Sequence, residues 1–506
     1  MAKTARTYND ISKSLDASPP VRAVFSVLVF AVLLLPLVGM AWAPTEESVE
    51  NRELASWPAL FDEESGLNAD MLSQMGDYFS DHFAYRVPMI DAGAHLYAGL
   101  FGVSTADTVV AGTDGWLYYA GTLNDYQNRA PLREGQLRNI AHNLRMLQDY
   151  CEEREAAFLF TVAPDKNSLY GEHMPFYYPG VASDDMDRLA AALAEAGVNY
   201  VDVRAALAAS DERLYFLRDS HWTEKGALAA HDALAAAGGF ATVGITEADL
   251  REVDDYTGDL AAMLYPLSPD PEPNWYAEGV NDGTGDAGTL RSGSKWRFTE
   301  GASVEDSTVA TEPAEGAFGE TAAGNGGLLM FRDSFGNSLI PYLACEFSSA
   351  TFSKKLPYNA LLVESEQPST VIVERAQRHV DLFAEQAPLM VCPSFDFPED
   401  ATLEEGEGTT TCESSENGPL ACLQGAIDGI QLAADDEVVV RLTDEEGAAL
   451  TYRAFLLSDE ETGSDQGWCV YASRDLWADQ AVIAEVIVQN EDHAHLLGTF
   501  DVAFEA

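Results

Sequence analysis

The chain has 506 residues, 47% of them hydrophobic, so it is long enough to bury a large core and to form more than one domain. Its 83 acidic residues outnumber 29 Lys and Arg residues, which gives a formal net charge of −54. Such a charge repels nucleic acid phosphates and anionic membranes, and it excludes a nucleic-acid partner. The acidic surface is interpreted as an adaptation for solubility or a salty environment, with binding of cations or basic polymers as the alternative.

An apolar segment near the N terminus predicts a membrane anchor. Residues 23–43 carry no charge over 21 positions, and at ~1.5 Å per residue such a helix crosses a hydrocarbon core of ~30 Å. Basic residues precede it and acidic residues follow it, which predicts a cytosolic tail over residues 1–22 and an extracytoplasmic bulk in a single-pass protein of the cell membrane. A cleaved signal peptide is the alternative, because Ala41–Ala43 resembles a cleavage site, but Pro44 favours the uncleaved anchor.

After the anchor, residues 44–100 predict a membrane-proximal, largely helical lead-in, and residues 101–395 predict the main α/β domain. Asp114 and Gly115 lie between apolar residues and indicate a hairpin over residues 109–119. Helical and strand-like patterns then alternate, which predicts a parallel sheet covered by helices on both faces. The predicted elements are helix 132–154, strand 157–162, helix 183–197, strand 200–203, strand 214–217, helix 224–237, strand 328–331 and strand 370–373.

Two segments interrupt or follow this alternation. Residues 268–325 are rich in glycine, acids, serine and threonine, and they predict a long, mobile insertion loop. Residues 396–416 are acidic and contain glycine, which is typical of a linker. Beyond them, short strand-like segments predict a small β-rich, sandwich-like C-terminal domain over residues 417–506. Its predicted strands are residues 437–442, 450–457, 468–472, 481–488 and 497–504.

Cysteine usage is compatible with export. An oxidising compartment permits disulfides, and the four cysteines of the last quarter of the chain allow three pairings that the sequence does not distinguish. No Cys-x-x-Cys pattern occurs, so neither structural zinc nor any cofactor is predicted. The six cysteines are Cys151, Cys345, Cys392, Cys412, Cys422 and Cys469.

A first motif supplies an aspartate and a histidine. Asp219 and His221 follow a predicted strand and precede a predicted helix that Thr223 is placed to cap. Residues two apart in an extended segment point to the same side, so the Asp219 carboxylate can orient the His221 imidazole and stabilise it once it is protonated. A hydrogen-bonded structural histidine and a metal-binding Asp-x-His pair are the alternatives, although no further ligands occur at regular spacing.

A second motif supplies a serine. Ser334 follows predicted strand 328–331, and a helix is predicted to begin near Phe335. A serine on such a turn exposes its hydroxyl near the positive end of the helix dipole. Because a serine hydroxyl needs a neighbouring base at neutral pH, the sequence predicts a triad of Ser334 as nucleophile, His221 as base and Asp219 as orienting acid.

These motifs resemble the DHHW family, which is related to the alginate O-acetylation proteins of the SGNH/GDSL hydrolase class. In that family the Asp-x-His pair precedes the serine, which reverses the order of ordinary SGNH hydrolases, and this chain has the same reversed order. One departure is Arg332, where GDSL-type motifs carry glycine. The resemblance spans residues 48–395 and includes further family-like blocks at Glu50–Arg52, Trp57–Pro58, Ser80–Phe83 with Arg86, Gly112–Tyr118, and Pro164–Lys166 with Tyr170 and Pro175.

The resemblance implies an SGNH-hydrolase-like fold and an O-acetyltransferase activity. The implied reaction moves an acetyl group through an acyl-serine intermediate to a hydroxyl of a cell-surface or secreted polysaccharide, with a multi-pass membrane acyltransferase as the acetyl donor. A carbohydrate acetylesterase with the same triad is one alternative, since water can replace the sugar hydroxyl. A non-catalytic glycan-binding or assembly protein is the other.

Five further residues are candidates for contact with the substrate or for the oxyanion hole. Lys166 follows a predicted strand, and the carboxyl ends of strands collect active-site residues in open α/β sheets. It is expected either to meet an acyl oxyanion or a substrate carboxylate, or to be a solvated loop lysine. Backbone amides at Phe335 and Gly336 are the main oxyanion donors expected, and Asn337 is a side-chain candidate. Trp222 is expected either to pack beside His221 or to stack on a sugar.

Overall fold

A computed structural model of the chain describes residues 19–40, 54–62, 66–181, 185–282, 293–397, 403–405, 408–433, 435–490 and 494–504. The chain divides into two compact units, one made of residues 1–111 and 259–270 and the other of residues 112–258 and 271–506.

The helices are α1 (Pro19–Gly39), α2 (Met71–His82), α3 (Arg86–Phe101), α4 (Leu123–Tyr126), α5 (Glu134–Glu152), α6 (Lys166–Leu169), α7 (Asp185–Glu195), α8 (Val203–Ala208), α9 (Glu224–Gly238), α10 (Asp259–Leu264), α11 (Gly319–Asn325), α12 (Ile340–Glu346), α13 (Leu362–Glu366), α14 (Leu382–Glu385) and α15 (Arg474–Trp477).

The strands follow the same numbering along the chain. They are β1 (Phe61–Asp62), β2 (Gly66–Leu67), β3 (Val109–Ala111), β4 (Leu117–Tyr119), β5 (Ala157–Ala163), β6 (Tyr200–Val201), β7 (Leu250–Tyr256), β8 (Glu272–Ala277), β9 (Trp296–Glu300), β10 (Thr308–Pro313), β11 (Gly327–Phe331), β12 (Ser349–Ser353), β13 (Thr370–Ala376), β14 (Glu404–Glu405), β15 (Thr409–Thr410), β16 (Glu413–Asn417), β17 (Leu420–Asp428), β18 (Glu437–Thr443), β19 (Ala449–Arg453), β20 (Phe455–Asp459), β21 (Ser464–Ser473), β22 (Val482–Gln489) and β23 (Ala494–Val502).

The smaller unit contains α1, and here the predicted transmembrane helix over residues 23–43 is not found. Helix α1 ends at Gly39 and contains Pro36, so its charge-free part after Arg22 is only about 25 Å long. No helix in the described part of the chain is long and apolar enough to cross a membrane. Residues 1–18 of the predicted tail and residues 41–43 lie outside the described residues. The predicted helical character of the lead-in is confirmed by α2 and α3.

The larger unit is built on a seven-stranded sheet with the order β6-β5-β13-β11-β12-β10-β9. The first five strands are parallel to one another, as the alternating pattern predicts. Strands β10 and β9 are antiparallel, so the sheet is mixed and the expectation of a wholly parallel sheet is wrong. Strand β11, which leads to Ser334, lies in the middle of this sheet.

The two antiparallel strands come from the predicted insertion loop over residues 268–325. That segment also contains β8 and α11, so the expectation of a structureless loop is wrong, while residues 283–292 lie outside the described residues. Trp296, Val309 and Thr311 are buried, whereas most of their neighbours along the strands are more exposed. In β10 the buried residues alternate with more exposed ones, as in a strand with one buried face, and the many glycines and acids of the segment conceal this pattern in the overall composition.

The central sheet separates two apolar cores because side chains alternate along its strands. On β11, Leu329 and Phe331 enter a core with helices α5 and α7. Leu328 and Met330 enter the opposite core with helices α9 and α12. The helices predicted over residues 132–154, 183–197 and 224–237 are confirmed as α5, α7 and α9.

The C-terminal region forms two five-stranded sheets, as the predicted β-rich character requires. One sheet has the order β14-β23-β22-β18-β19, and the other contains β15, β16, β17, β21 and β20. The strand predicted over residues 450–457 is two strands in different sheets, separated at Ala454. Strands β14, β15 and β16 lie within or at the end of the predicted linker 396–416, so that segment is not wholly a linker, and its residues 398–402 and 406–407 lie outside the described residues.

Helix α5 joins the C-terminal sheets to the central sheet. His142 Nε2 lies 2.9 Å from the carbonyl oxygen of Ala454, and Asn139 Nδ2 donates to Ser458 Oγ at 3.0 Å. Buried residues of α5, β13 and the C-terminal strands belong to one continuous apolar core. Within the larger unit, the C-terminal region therefore packs as part of the same folded body as the central sheet.

Candidate active site

Ser334, His221 and Asp219 form one chain of hydrogen bonds. With its hydrogen on Nδ1, the His221 ring donates to Asp219 Oδ1 at 2.7 Å and leaves Nε2 to accept the Ser334 hydroxyl at 2.8 Å. The side chain of Asp219 is 3% exposed and that of His221 is 24% exposed. The acid is therefore shielded from water while the base reaches a surface that a substrate can approach.

A tight turn places the acid and the base. The predicted strand 214–217 is reduced to a single bridge between Tyr215 and Trp222, so the expectation of a sheet strand is wrong. Asp219 Oδ1 also accepts the backbone N–H of His221 at 2.8 Å. The carboxylate reaches the histidine by folding back on this turn, and not by alternation along an extended segment. The predicted cap is confirmed, because the Thr223 side chain accepts the N–H of Gly226 at 3.3 Å.

Ser334 lies on the predicted strand-to-helix turn. Strand β11 ends at Phe331, a 3₁₀ helix spans Phe335–Ser338, and α12 follows. Ser334 has φ −71° and ψ −25° as the N-cap residue of the short helix. The neighbouring Asp333 makes structural bonds, since its two oxygens accept the N–H groups of Phe335 at 2.9 Å and Ala376 at 2.8 Å. Asp333 thus ties the serine turn to the end of the adjacent strand β13.

Arg332 explains how the turn forms without the usual glycine. Its guanidinium is buried and donates to the carbonyl oxygens of Asp333 at 3.1 Å, Val304 at 2.8 Å and Asp306 at 3.3 Å. Burial lowers the pKa of Arg332 to about 10, which leaves it charged at neutral pH. The arginine therefore fastens the serine turn to the segment between β9 and β10.

The candidate donors to the oxyanion differ in whether they already make a hydrogen bond within the protein. The Phe335 N–H is occupied by Asp333, and Asn337 is occupied because it accepts from Arg332 and donates to Glu305 Oε2 at 2.8 Å. The N–H groups of Ser334 and Gly336 make no hydrogen bond to any residue that the structure describes. A Cβ at Gly336 would lie 2.7 Å from Arg332 Cβ, so only glycine fits there. These two amides are the donors available to an oxyanion.

Lys166 and Trp222 do not face a substrate. Lys166 is 4% exposed, and its Nζ donates to the carbonyl oxygens of Phe216 at 3.1 Å, Leu217 at 3.1 Å and Asp219 at 2.7 Å. Trp222 is 1% exposed and packs edge-on against Phe335 at 5.0 Å between ring centroids. The expectation that Lys166 meets an oxyanion or a substrate carboxylate is therefore wrong, and Trp222 packs beside the histidine instead of stacking on a sugar.

Two residues outside the motifs also contact the acid turn. Tyr256 at the end of β7 donates its hydroxyl to Asp219 Oδ2 at 3.0 Å. Glu272 at the start of β8 accepts the N–H groups of Leu217 at 2.7 Å and Arg218 at 2.8 Å. Nothing in the local sequence marks either residue, because each acts through a pairing of distant segments.

The part of the chain that carries Asp219 and His221 is similar to an SGNH hydrolase-like domain. More particularly, residues 109–282 match the family model of the SGNH hydrolase-like domain of the acetyltransferase AlgX, which confirms the resemblance to the alginate O-acetylation proteins. The matched residues include Asp219 and His221 and end before Ser334. A search of the curated proteins finds no sequence that matches this chain.

The solved structures to which the chain is similar have low sequence identity and low TM-scores. A DHHW family protein of Eubacterium siraeum has 17% identity and a TM-score of 0.38, covering 54% of this chain and 91% of its own. The O-acetyltransferase domain of Pseudomonas putida AlgJ has 17% identity and a TM-score of 0.36, covering 54% and 92%. Pseudomonas aeruginosa AlgX has 13% identity and a TM-score of 0.36, covering 82% and 98%.

Proposed function

We propose that the protein is an O-acetyltransferase that moves an acetyl group to a hydroxyl of a polysaccharide through an acyl-Ser334 intermediate. The observation that carries the proposal is the unbroken hydrogen-bond chain from Ser334 through His221 to Asp219. The match of residues 109–282 to the AlgX acetyltransferase domain supports acetyl transfer as the reaction.

The first half-reaction would form the acyl-enzyme. His221 Nε2 takes the hydroxyl proton of Ser334 as Oγ attacks the acetyl carbonyl carbon, and Asp219 stabilises the resulting imidazolium. The amides of Ser334 and Gly336 would hold the negative oxygen of the tetrahedral intermediate. The bond from the carbonyl carbon to the donor oxygen then breaks, and the His221 proton passes to that oxygen.

The second half-reaction would release the serine. His221 Nε2 takes a proton from an acceptor hydroxyl, whose oxygen attacks the acyl carbon and forms the new ester. The proton then returns to Ser334 Oγ as the acyl bond breaks. If water takes the place of the acceptor, the same residues hydrolyse the acetyl group, and the protein is an acetylesterase.

The location and the donor are further parts of the proposal. A polysaccharide acceptor at the cell surface requires the site to face the outside of the cell. A multi-pass membrane acyltransferase would then supply the acetyl group from the other side. Protease added to intact cells tests the location independently of the acetyl-transfer reaction. The protein is expected to be cleaved if it lies on the outer face of the cell.

The experiment incubates the full chain with a chromogenic acetyl ester, with and without oligosaccharide acceptors. Mass spectrometry of the oligosaccharides is expected to show acetyl groups added only when Ser334 is intact. Release of acetate alone, with no acetylated oligosaccharide from any acceptor, would identify an esterase. If neither product forms and no acetyl group is found on Ser334, the protein is a binding protein and the proposal fails.

A further inference from the structure

The triad acid is held at both of its oxygens. Asp219 Oδ1 accepts the His221 ring N–H and the His221 backbone N–H. Asp219 Oδ2 accepts the Tyr256 hydroxyl at 3.0 Å. Because Asp219 is 2% exposed, water does not take the place of these donors. Without the tyrosine, one carboxylate oxygen would lose a hydrogen bond in a site closed to solvent.

The position of Tyr256 is fixed by its surroundings. Its ring stacks on Phe216 with centroids 4.0 Å apart and an interplanar angle of 11°. The register of β7 and β8 shifts between Asp254 and Tyr256, where Tyr256 lies opposite Glu272. A β-bulge of this kind redirects the side chain that follows it. The tyrosine is thus aimed at the acid by the two-stranded sheet of β7 and β8, called here the β7–β8 ribbon.

The same ribbon holds the backbone that leads to Asp219. Glu272 is 3% exposed, and its carboxylate accepts the N–H groups of Leu217 and Arg218. Lys166, which carries the opposite charge, donates to the carbonyl oxygens of this segment. The segment belongs to no sheet, and these two buried charges supply hydrogen bonds to its backbone together with the Leu117 N–H, which donates to the Leu217 carbonyl oxygen at 2.9 Å.

We propose that Tyr256 and Glu272 are positioning residues of the active site: the β7–β8 ribbon orients Asp219, and Asp219 orients His221. This inference rests on the proposed function. The ribbon is composed partly of the segment that interrupts the α/β pattern, so that segment serves the geometry of the acid and base. A carboxylate fixed at both oxygens cannot rotate, and the imidazole bonded to it keeps the direction that places Nε2 at Ser334.

Tyr256→Phe is the principal test, since it removes the hydroxyl and keeps the ring that stacks on Phe216. The matched control is Tyr276→Phe on β8, whose hydroxyl also donates to an aspartate, Asp255 Oδ1 at 2.9 Å, away from the triad. In the chromogenic ester assay, Tyr256→Phe is expected to lower kcat roughly 10-fold or more with little change in KM, because the acid acts on the chemical step. The control is expected to keep the wild-type kcat.

Glu272→Gln is the second variant. It replaces one acceptor oxygen by an NH₂ group that faces a backbone N–H, so it should also lower kcat at constant KM. The fraction of competent enzyme is measured for every variant by the stoichiometry of labelling with a serine-directed sulfonyl fluoride, and kcat is expressed per labelled site. A loss that disappears after this correction is a folding defect and overturns the inference.

The outcomes separate this inference from the proposed function. Equal kcat values for Tyr256→Phe and Tyr276→Phe would overturn the positioning role while leaving the acyl-serine mechanism intact. An active Ser334→Ala variant would overturn the proposed function itself. A specific loss of kcat in Tyr256→Phe, together with an inactive Ser334→Ala, supports both.

Discussion

The side-chain amide of Asn143 pairs with the backbone of Leu456 as a neighbouring strand would. Its Nδ2 donates to the Leu456 carbonyl oxygen at 2.8 Å, and its Oδ1 accepts the Leu456 N–H at 2.9 Å. The same Nδ2 also donates to the carbonyl oxygen of Phe383 at 2.7 Å. One buried residue of helix α5 thereby extends the C-terminal sheet into the body of the α/β fold.

Asn143→Ala is expected to lower the free energy of unfolding by about 3 kcal/mol, because it leaves one N–H and two carbonyl groups buried without partners. Urea denaturation followed by circular dichroism measures the change. Gln480→Ala is the control, since its side chain makes an exposed hydrogen bond to Leu476, and it should change the value by less than about 0.5 kcal/mol. A value for Asn143→Ala as small as that of the control would contradict the structural role of this pairing.

Truncation after residue 395 is expected to abolish soluble expression. It removes strand β20, to which α5 is hydrogen-bonded, and the buried residues Trp468 and Val470, which share one core with α5. Exposing an apolar surface of this kind leads to aggregation. Expression of the truncated and full chains is compared in soluble and insoluble fractions. A soluble, ester-cleaving fragment ending at residue 395 would show that the C-terminal sheets are an independent module.

Ser334→Ala and His221→Ala are each expected to lower the rate of ester cleavage by several orders of magnitude, and the double variant should be no worse than either. Non-additivity follows because the serine and its base act as one unit. Asp219→Asn should also be severely impaired, since the amide cannot hold the productive tautomer. Ser365→Ala is the control, since the exposed hydroxyl of Ser365 donates to the Leu362 carbonyl oxygen at 3.3 Å. Effects that simply multiply would argue against a shared catalytic unit.

The buried pair of His231 and Glu346 predicts how stability depends on pH. Burial favours neutral His231, but hydrogen bonds to Asp232 and Glu346 outweigh burial and raise the pKa of His231 to about 9. Because this pKa lies above the unfolded value of ~6.5, the pair stabilises the fold fully below about pH 6.5 and loses that effect as pH rises through about 9. His231→Gln should therefore be destabilised by about 2–3 kcal/mol at pH 6 and by less at pH 10, measured by urea denaturation. A difference that stays constant between these pH values would contradict the pairing.

Cys422 and Cys469 are expected to be the pair that forms a disulfide under oxidation. Their sulfur atoms lie 3.8 Å apart on neighbouring strands β17 and β21, and the hydrogen bond from Cys469 lowers the pKa of Cys422 to about 7. With a small-molecule disulfide as oxidant, the Cys422 thiolate displaces one thiol and Cys469 displaces the second, so the protein loses two hydrogens. Peptide mass mapping after alkylation identifies the pair. Cys422→Ser should remove it, Cys345→Ser should not, and a bridge from Cys422 to Cys392 or Cys412 would refute the assignment.

The local motifs predict the reactive residues well, because each lies within a few positions of a turn or a helix cap. Asp219, His221 and Ser334 can be chosen on that basis, and the structure brings them together. The support behind them cannot be predicted in the same way. Tyr256 and Glu272 reach the acid only through the pairing of β7 with β8, and the pattern of single residues does not reveal which segments pair.

The overall composition of residues 268–325 does not reveal their strands, because the many glycines and acids conceal short alternating patterns of buried residues. Strand β9 buries one of its five residues and β10 buries two of its six, so the segment around them has the composition of a loop. The same limit applies to residues 396–416. For Lys166, the position after a strand predicts contact with a substrate, but its Nζ donates to three backbone carbonyl oxygens of the neighbouring turn. A buried cation satisfied by backbone oxygens cannot be recognised from its own sequence neighbours.

The segment carrying Asp219 and His221 has one consequence for how such proteins diverge. It is held by the side chains of Lys166, Glu272 and Tyr256 and by one backbone hydrogen bond from Leu117, and no strand of the central sheet continues into it. The connectivity of the sheet therefore does not dictate where in a gene the codons for the acid and base must stand relative to the codon for the serine. A chain whose Asp-x-His pair precedes the serine in sequence and a chain whose pair follows it can therefore form the same triad.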